Sequence, residues 1–149
     1  MDVAVQELHV VATAPELYHE LVRLGACTTL LSLLLHENVD IVMDVVALLA
    51  ELVDTDTGAD AAQAGELIDA LWADKLYELL AGVLHSRLDE RVLEERQAVH
   101  HALAVVENIL DWRADAAEQL AAVVPFLCRR VATRAGALAD AAASSAAPM

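Results

Sequence analysis

The chain has 149 residues and a formal net charge of −15 at pH 7, and 58% of its residues are hydrophobic while 3% are aromatic. This length allows one domain or one compact array of repeats. The negative charge argues against direct binding to nucleic acid, whose phosphates repel an acidic surface, and favours basic partners. We expect neither a transmembrane helix nor a signal peptide, because no run of 18 uncharged apolar residues occurs and Met1-Asp2-Val3 carries no basic or apolar leader.

The composition favours helix almost throughout the chain. Ala, Leu and Val supply most of the apolar residues, and only five Gly and three Pro interrupt them. Pro125 is expected to kink or split the last helix. The predicted helices lie at about 3–12, 15–24, 27–35, 40–53, 61–72, 75–85, 90–110 and 114–134 or beyond.

Two helices in the first half have informative patterns. The helix that Pro15 opens is expected to have Thr13 as its cap, an apolar stripe of Leu17, Leu21 and Leu24, and an end at Gly25. The helix at 40–53 is apolar over a wide arc, which predicts a position inside the fold with neighbours on most sides.

The sequence repeats itself. Glu20-Leu21-Val22 returns 46 residues later as Glu66-Leu67-Ile68, and the ten residues from Val45 return 57 residues later from Ala102. A repeat of about 40–47 residues built from two or three helices is typical of armadillo and HEAT arrays. We therefore predict an all-α solenoid of armadillo/HEAT type, with two full repeats and a truncated third.

The predicted repeats cover about 14–54, 61–112 and 114–140, and a disordered tail is expected at 141–149. The second repeat holds 11 extra residues around 82–91, which either lengthen helices or form a protruding turn. The last helical region has few helices after it to cover its apolar side chains, so we expect self-association through it, with Phe126 and Leu127 near the contact. Its apolar side chains are Leu120, Val123, Val124, Phe126, Leu127, Val131 and Leu138.

Several segments resemble one family of armadillo-type nuclear proteins, the beta-catenin-like protein 1 family. They are residues 7–26, 34–54, 67–71 and 87–111, and the most specific parts are Ala14-Pro15-Glu16-Leu17-Tyr18 and Val106-Glu107-Asn108. The resemblance implies association with the spliceosome, a nuclear location, and recognition of basic, nuclear-localisation-type segments of splicing factors. Family members are several times longer, so the chain is expected to correspond to their early repeats.

The resemblance also implies where a peptide would bind, because the third helix of an armadillo repeat lines the concave face. Importin-type repeats carry there a Trp and, four residues later, an Asn. The corresponding residues are Ala47 and Glu51, then Ala104 and Asn108, so only Asn108 matches. Positions 40, 44, 47, 51 and 54 share one helix face, and a matching strip lies on the later helix. The candidate peptide-binding residues are Asp40, Asp44, Glu51, Asp54, Glu94, His101, Asn108 and Asp111.

Other site chemistries have weaker support. Cys27 and Cys128 are expected to be buried free thiols rather than a disulfide. His100 and His101 are adjacent and point to different helix faces, so a shared metal is not expected. The loop at 54–60 lacks the glutamate and glycine placement of a calcium loop. No catalytic nucleophile, metal or cofactor is predicted.

The sequence thus favours a non-catalytic protein-binding scaffold of the nucleus, with a role in pre-mRNA splicing. In this interpretation the acidic concave face holds Lys and Arg side chains of a basic segment. Two alternatives remain open: a purely structural or oligomerisation module whose acidic face is solvated, and a nuclear-transport adaptor, which the missing Trp residues disfavour.

Overall fold

The computed structural model of the chain describes residues 3–54, 56 and 60–146, and within these ranges all regular structure is helical. Short turns and single 3-10 turns join the helices, and the architecture is the predicted all-α solenoid. The α-helices are α1 Val3–Ala12, α2 Tyr18–Arg23, α3 Ala26–Leu33, α4 Val39–Leu52, α5 Ala61–Ala73, α6 Leu76–Ser86, α7 Leu93–Trp112, α8 Ala117–Leu120 and α9 Val124–Ser145.

Local sequence signals explain where the longer helices begin. Asn38 caps α4, since its side-chain oxygen accepts a hydrogen bond of 2.9 Å from the Asp40 amide. Asp60 and Gln63 form a capping box at the start of α5. The Gln63 side chain accepts a hydrogen bond from the Asp60 amide, and the Asp60 side chain accepts one from the Ala62 amide. Gly25 precedes α3 with φ +71°, a left-handed conformation that glycine adopts without a Cβ clash.

The start of α2 differs from the prediction. Thr13 does not cap the helix, because its hydroxyl donates to the Val10 carbonyl of the preceding helix. Residues Pro15–Leu17 form a 3-10 turn before α2. Tyr18 and Leu21 enter the core, while Leu17 in this turn and Leu24 at the C-terminal end of α2 are exposed.

The helices stack in layers, as expected for an armadillo-type array. The third helices of the two repeats, α4 and α7, lie side by side, and α1 packs on the other flank of α4. Helix α1 therefore occupies the place of the third helix of a preceding repeat. As predicted, α4 is interior, and its fully buried apolar side chains are Val42, Val45, Val46, Leu48, Leu49 and Leu52.

Side-chain bonds between the repeats join residues one repeat apart. In five of these bonds the sequence separations are 42, 47, 46, 44 and 44 residues, close to the period seen in the sequence. Equivalent helices of neighbouring repeats are thus tied to each other. The pairs are His9–Glu51, His19–Glu66, Thr28–Asp74, Asp69–Arg113 and His85–Arg129.

The extra residues of the second repeat mainly lengthen its helices. Helix α6 has 11 residues where α3 has eight, and α7 has 20 where α4 has 14. The loop at 87–92 between α6 and α7 is held in place by hydrogen bonds, including that from Arg96 Nε to the Glu90 carbonyl at 2.9 Å.

The C-terminal region is split, and two expectations about it need correction. Two 3-10 turns and α8 precede α9, which has Pro125 in its first turn, where a missing N–H costs nothing. Residues 141–145 belong to α9 rather than to a disordered tail, because Ala-rich sequence favours helix; residues 147–149 lie outside the described part of the chain. Phe126 is buried against the His85 ring and is not a surface residue.

No helix in the described ranges combines the length and the apolar character that crossing a membrane would need.

Candidate peptide-binding groove

A groove runs between the neighbouring third helices, α4 and α7. It has a volume of about 340 Å³, within the range of ligand-binding clefts. Met43, Asp44 and Ala47 line it from α4, and Glu94, Gln97, Ala98 and His101 line it from α7. Residues predicted from two separate strips of the sequence, Asp44, Glu94 and His101, therefore meet in one place.

Asp44 is the most unusual residue of the groove. It is half-buried, and its Oδ2 atom is shielded from solvent with no hydrogen-bond partner among the described residues. A buried carboxylate oxygen without a donor carries a desolvation cost of about 1–3 kcal/mol or more. A donor that enters the groove from outside would remove that cost.

The groove is acidic, and none of the described residues that line it is Phe, Tyr or Trp. Its lining contains Asp44 and Glu94 but no Lys or Arg, and Ala47 stands where an importin-type repeat has a ring. A cationic side chain would thus be held by charge and hydrogen bonding rather than by ring stacking.

The other predicted acidic residues of α4 do not join this groove. Glu51 is paired with His9 of α1, with 2.8 Å between Oε2 and Nδ1. Asp54 accepts a hydrogen bond of 2.9 Å from the Asp56 amide. Burial, together with the charge of the Asp54 carboxylate, raises the pKa of the Tyr18 hydroxyl. Asp40 is exposed in the first turn of the helix.

The remaining candidates lie towards the C-terminal end of α7. Asn108 is half-buried and Asp111 is exposed, and neither lines the groove. The predicted strip on α7 is therefore divided, with Glu94 and His101 in the groove and the other two residues beyond it, while Asp44 is the predicted acidic residue of α4 that lines the groove.

Sequence reasoning missed the role of His9. The helix at 3–12 was predicted as a separate element, although His9 lies 42 residues before Glu51, close to the repeat period. That spacing was the available signal that α1 belongs to the third-helix layer. Met43 and Ala98 were also missed, because each is one position away from the predicted strip.

The cysteine and histidine predictions have mixed outcomes. Both cysteines are free, but Cys27 is buried and Cys128 is exposed, contrary to the expectation that both are buried. Burial, with a smaller effect of the Asp74 carboxylate, raises the pKa of the Cys27 thiol to about 11. In residues 3–54, 56 and 60–146 no three His, Cys, Asp or Glu side chains are arranged to hold a metal ion. Most of the loop at 54–60 lies outside the described residues.

Comparison with known proteins decides the family. A family model described as Catenin-beta-like, Arm-motif containing nuclear, matches residues 1–144. The chain belongs to this catenin-beta-like family. It is 50% identical to beta-catenin-like protein 1 of Homo sapiens and of Rattus norvegicus over 110 residues. It is 34% identical to the beta-catenin-like protein 1 homolog of Schizosaccharomyces pombe, also over 110 residues.

These matches cover only part of each catenin-beta-like relative. The matched region is 73% of this chain but 19% of the human and rat proteins. The family membership agrees with the predicted resemblance and with the layered helical repeats, and the family description carries the word nuclear.

Proposed function

We propose that the groove between α4 and α7 binds a basic, nuclear-localisation-type segment of a partner protein. The observation that carries the proposal is the shielded Asp44 Oδ2, which has no donor among the described residues and lies in a groove with Glu94 and His101. A Lys or Arg side chain supplies the missing donor and a compensating charge.

The family description, which carries the word nuclear, supports a location in the nucleus. We further propose, from the resemblance of the sequence to this family, that the basic segments belong to splicing factors and that the binding serves pre-mRNA splicing. The net charge of −15 supports a cationic partner as well, because an acidic surface attracts basic segments at long range. The scaffold holds its partner without chemistry of its own.

The groove favours this role over that of an importin-like transport adaptor. Importin-type binding depends on Trp rings that sandwich cationic side chains, and Ala47 lines the groove instead. Binding by charge alone weakens steeply as salt rises, because exposed charges are screened over about 8–10 Å at physiological salt.

The test is fluorescence anisotropy with a labelled nine-residue peptide that contains five Lys and Arg residues. Asp44→Asn combined with Glu94→Gln removes two charges from the groove while keeping side-chain size. We expect the affinity to fall about tenfold or more in this double variant, since each lost charged hydrogen bond contributes about 1.5–3 kcal/mol.

The matched control is Glu16→Gln combined with Glu118→Gln, which removes two exposed carboxylates outside the groove. This control should bind the peptide as the parent does. Equal loss in both double variants would mean that net charge alone attracts the peptide, and unchanged binding in the groove variant would make the groove a solvated surface.

A further inference from the structure

A second cavity lies between α9, the end of α6 and the loop at 87–92, and its lining is basic where that of the groove is acidic. Its volume is about 600 Å³. Although the chain is strongly acidic, five of its nine Lys and Arg residues line this one cavity. The five are Arg91, Arg96, Arg129, Arg130 and Arg134.

Carboxylates within the cavity neutralise only two of these arginines. Arg91 pairs with Asp89 at 2.6 Å, and Arg130 pairs with Glu90 at 2.7 Å. The hydrogen bond from Arg91 lowers the pKa of the Asp89 carboxyl to about 2, so this pair stays ionised at any ordinary pH. Five arginines against two carboxylates leave a local charge of +3.

The three arginines that lack a carboxylate partner among the described residues are Arg96, Arg129 and Arg134. Two of them are fixed in position. Arg96 donates to the Glu90 carbonyl, and Arg129 donates to His85 Nδ1 at 2.7 Å. The other nitrogen of that ring, Nε2, lies 2.9 Å from the Ala122 carbonyl, so a neutral His85 satisfies both contacts. Guanidinium groups held in place lose little freedom when an anion binds.

The rest of the lining indicates what kind of anion fits. Leu84 and Phe126 form an apolar floor, and Thr133 adds a hydroxyl. A free inorganic ion would leave this floor uncovered. RNA carries a phosphate on every nucleotide, so the net charge of −15 repels it more strongly than a segment with only one or two anionic groups. A peptide that carries an anionic group beside an apolar side chain matches both parts of the cavity.

We propose that this cavity binds an acidic segment of a partner protein. The carboxylate or phosphoryl group contacts Arg96, Arg129 and Arg134, and a neighbouring apolar side chain packs against Leu84 and Phe126. The site is independent of the acidic groove, so the scaffold carries two binding sites of opposite charge preference.

The probe is a labelled ten-residue peptide with one phosphoserine on each side of a leucine. Its binding is measured by fluorescence anisotropy at 0.15 M salt. Companion peptides replace the phosphoserines with Glu or with Ser. Arg129→Glu combined with Arg134→Glu reverses two cavity charges, and Arg129→Gln with Arg134→Gln is the milder version should the first pair disturb folding. The control, Arg23→Glu with Lys75→Glu, makes the same change in net charge at exposed residues outside the cavity.

We expect the phosphoserine and Glu peptides to bind and the Ser peptide to bind at least about tenfold more weakly. Both cavity variants should lose about tenfold or more in affinity for the phosphoserine peptide. The control variant should keep the parent affinity. The proposal is overturned if the cavity and control variants lose affinity equally. It is also overturned if no anionic peptide binds, if inorganic phosphate binds as tightly as the phosphopeptide, or if a ten-nucleotide single-stranded RNA binds more tightly than the peptides.

Discussion

Cys27 links the protonation of one side chain to the stability of the fold. It lies 4% exposed in the core, and its thiol pKa of about 11 lies well above that of a free cysteine, about 8.5. The folded state therefore holds this proton over a pH range in which the unfolded chain releases it. The resulting stability is fully present below about pH 8.5 and is lost as the pH rises towards 11.

We expect the free energy of unfolding to fall between about pH 8.5 and 11, and to fall less steeply in Cys27→Ala. Urea titrations at pH 7.5, 9 and 10.5 measure both slopes. The alanine variant has a lower starting stability because it leaves a small cavity, so the slopes and not the absolute values are compared. Identical slopes in the two proteins would show that Cys27 is ionised equally in the folded and unfolded states.

Asp44 and Glu51 show what a residue pattern can and cannot predict. Both were placed on one helix face by their spacing, and that placement depends only on helix geometry. Their surroundings differ because α7 packs next to Asp44 while α1 brings His9 to Glu51. Which neighbour covers a surface carboxylate depends on tertiary packing, so the strip was predictable and its division was not.

At the scale of the helices, two glycines inside helices have opposite surroundings, since Gly65 is buried and Gly82 is exposed. Gly65 lies in α5 directly under Trp112, and a Cβ there would lie 2.6 Å from the ring. Gly82 lies in α6 with no atom within 4 Å of such a Cβ. Alanine is favoured over glycine in a helix by about 1 kcal/mol, so only the contact decides the outcome.

We expect Gly82→Ala to raise the free energy of unfolding by about 0.5–1 kcal/mol and Gly65→Ala to lower it. In the Trp112→Ala background the clash is gone, and Gly65→Ala should become stabilising. Urea denaturation of the parent, the two single variants Gly65→Ala and Trp112→Ala, and their double variant gives the coupling between the two sites. A stabilising effect of Gly65→Ala in the parent would mean that Trp112 moves aside without cost.

Much of the helix order was predictable because the local sequence signals agree with the helices that the chain forms. The wide apolar arc of α4 correctly predicted an interior helix, since no surface helix tolerates so many buried valines and leucines. The stripe of Leu17, Leu21 and Leu24 was wrong in part, because Leu17 lies in a 3-10 turn before α2 and Leu24 follows the last residue of α2, and both are exposed. Periodicity predicts a helix reliably only where the whole segment is α-helical.

At the scale of the whole molecule, α9 presents two opposite faces. One face contributes Phe126, Arg129 and Arg130 to the basic cavity. The other exposes apolar side chains at heptad spacing: Val124 is 50% exposed, Val131 68% and Leu138 72%. Positions 128, 135 and 142 alternate with them at steps of four and three residues, which is the pattern of a coiled-coil seam.

We propose that this face pairs with α9 of a second copy, because a stripe of this kind is complementary to itself. The expected result is a concentration-dependent increase in mass by light scattering, which Val131→Glu with Leu138→Glu abolishes. Leu24→Glu with Leu93→Glu introduces the same charges at exposed apolar residues of other helices and should leave association unchanged.

A further readout uses Cys128, which lies at a seam position and is exposed. Paired copies should form a Cys128–Cys128 disulfide under mild oxidation, visible as a dimer on a non-reducing gel. A parent chain that is strictly monomeric at the highest soluble concentration would contradict the pairing.

The side-chain pairs between repeats also determine how the molecule responds to a stretching force. The five pairs described above each span about one repeat, so a load applied at the ends passes from one repeat to the next. Within the described residues, no side-chain hydrogen bond spans two repeats. We therefore expect the chain to unfold under force in steps, one repeat at a time, because each repeat is bonded mainly to its neighbours.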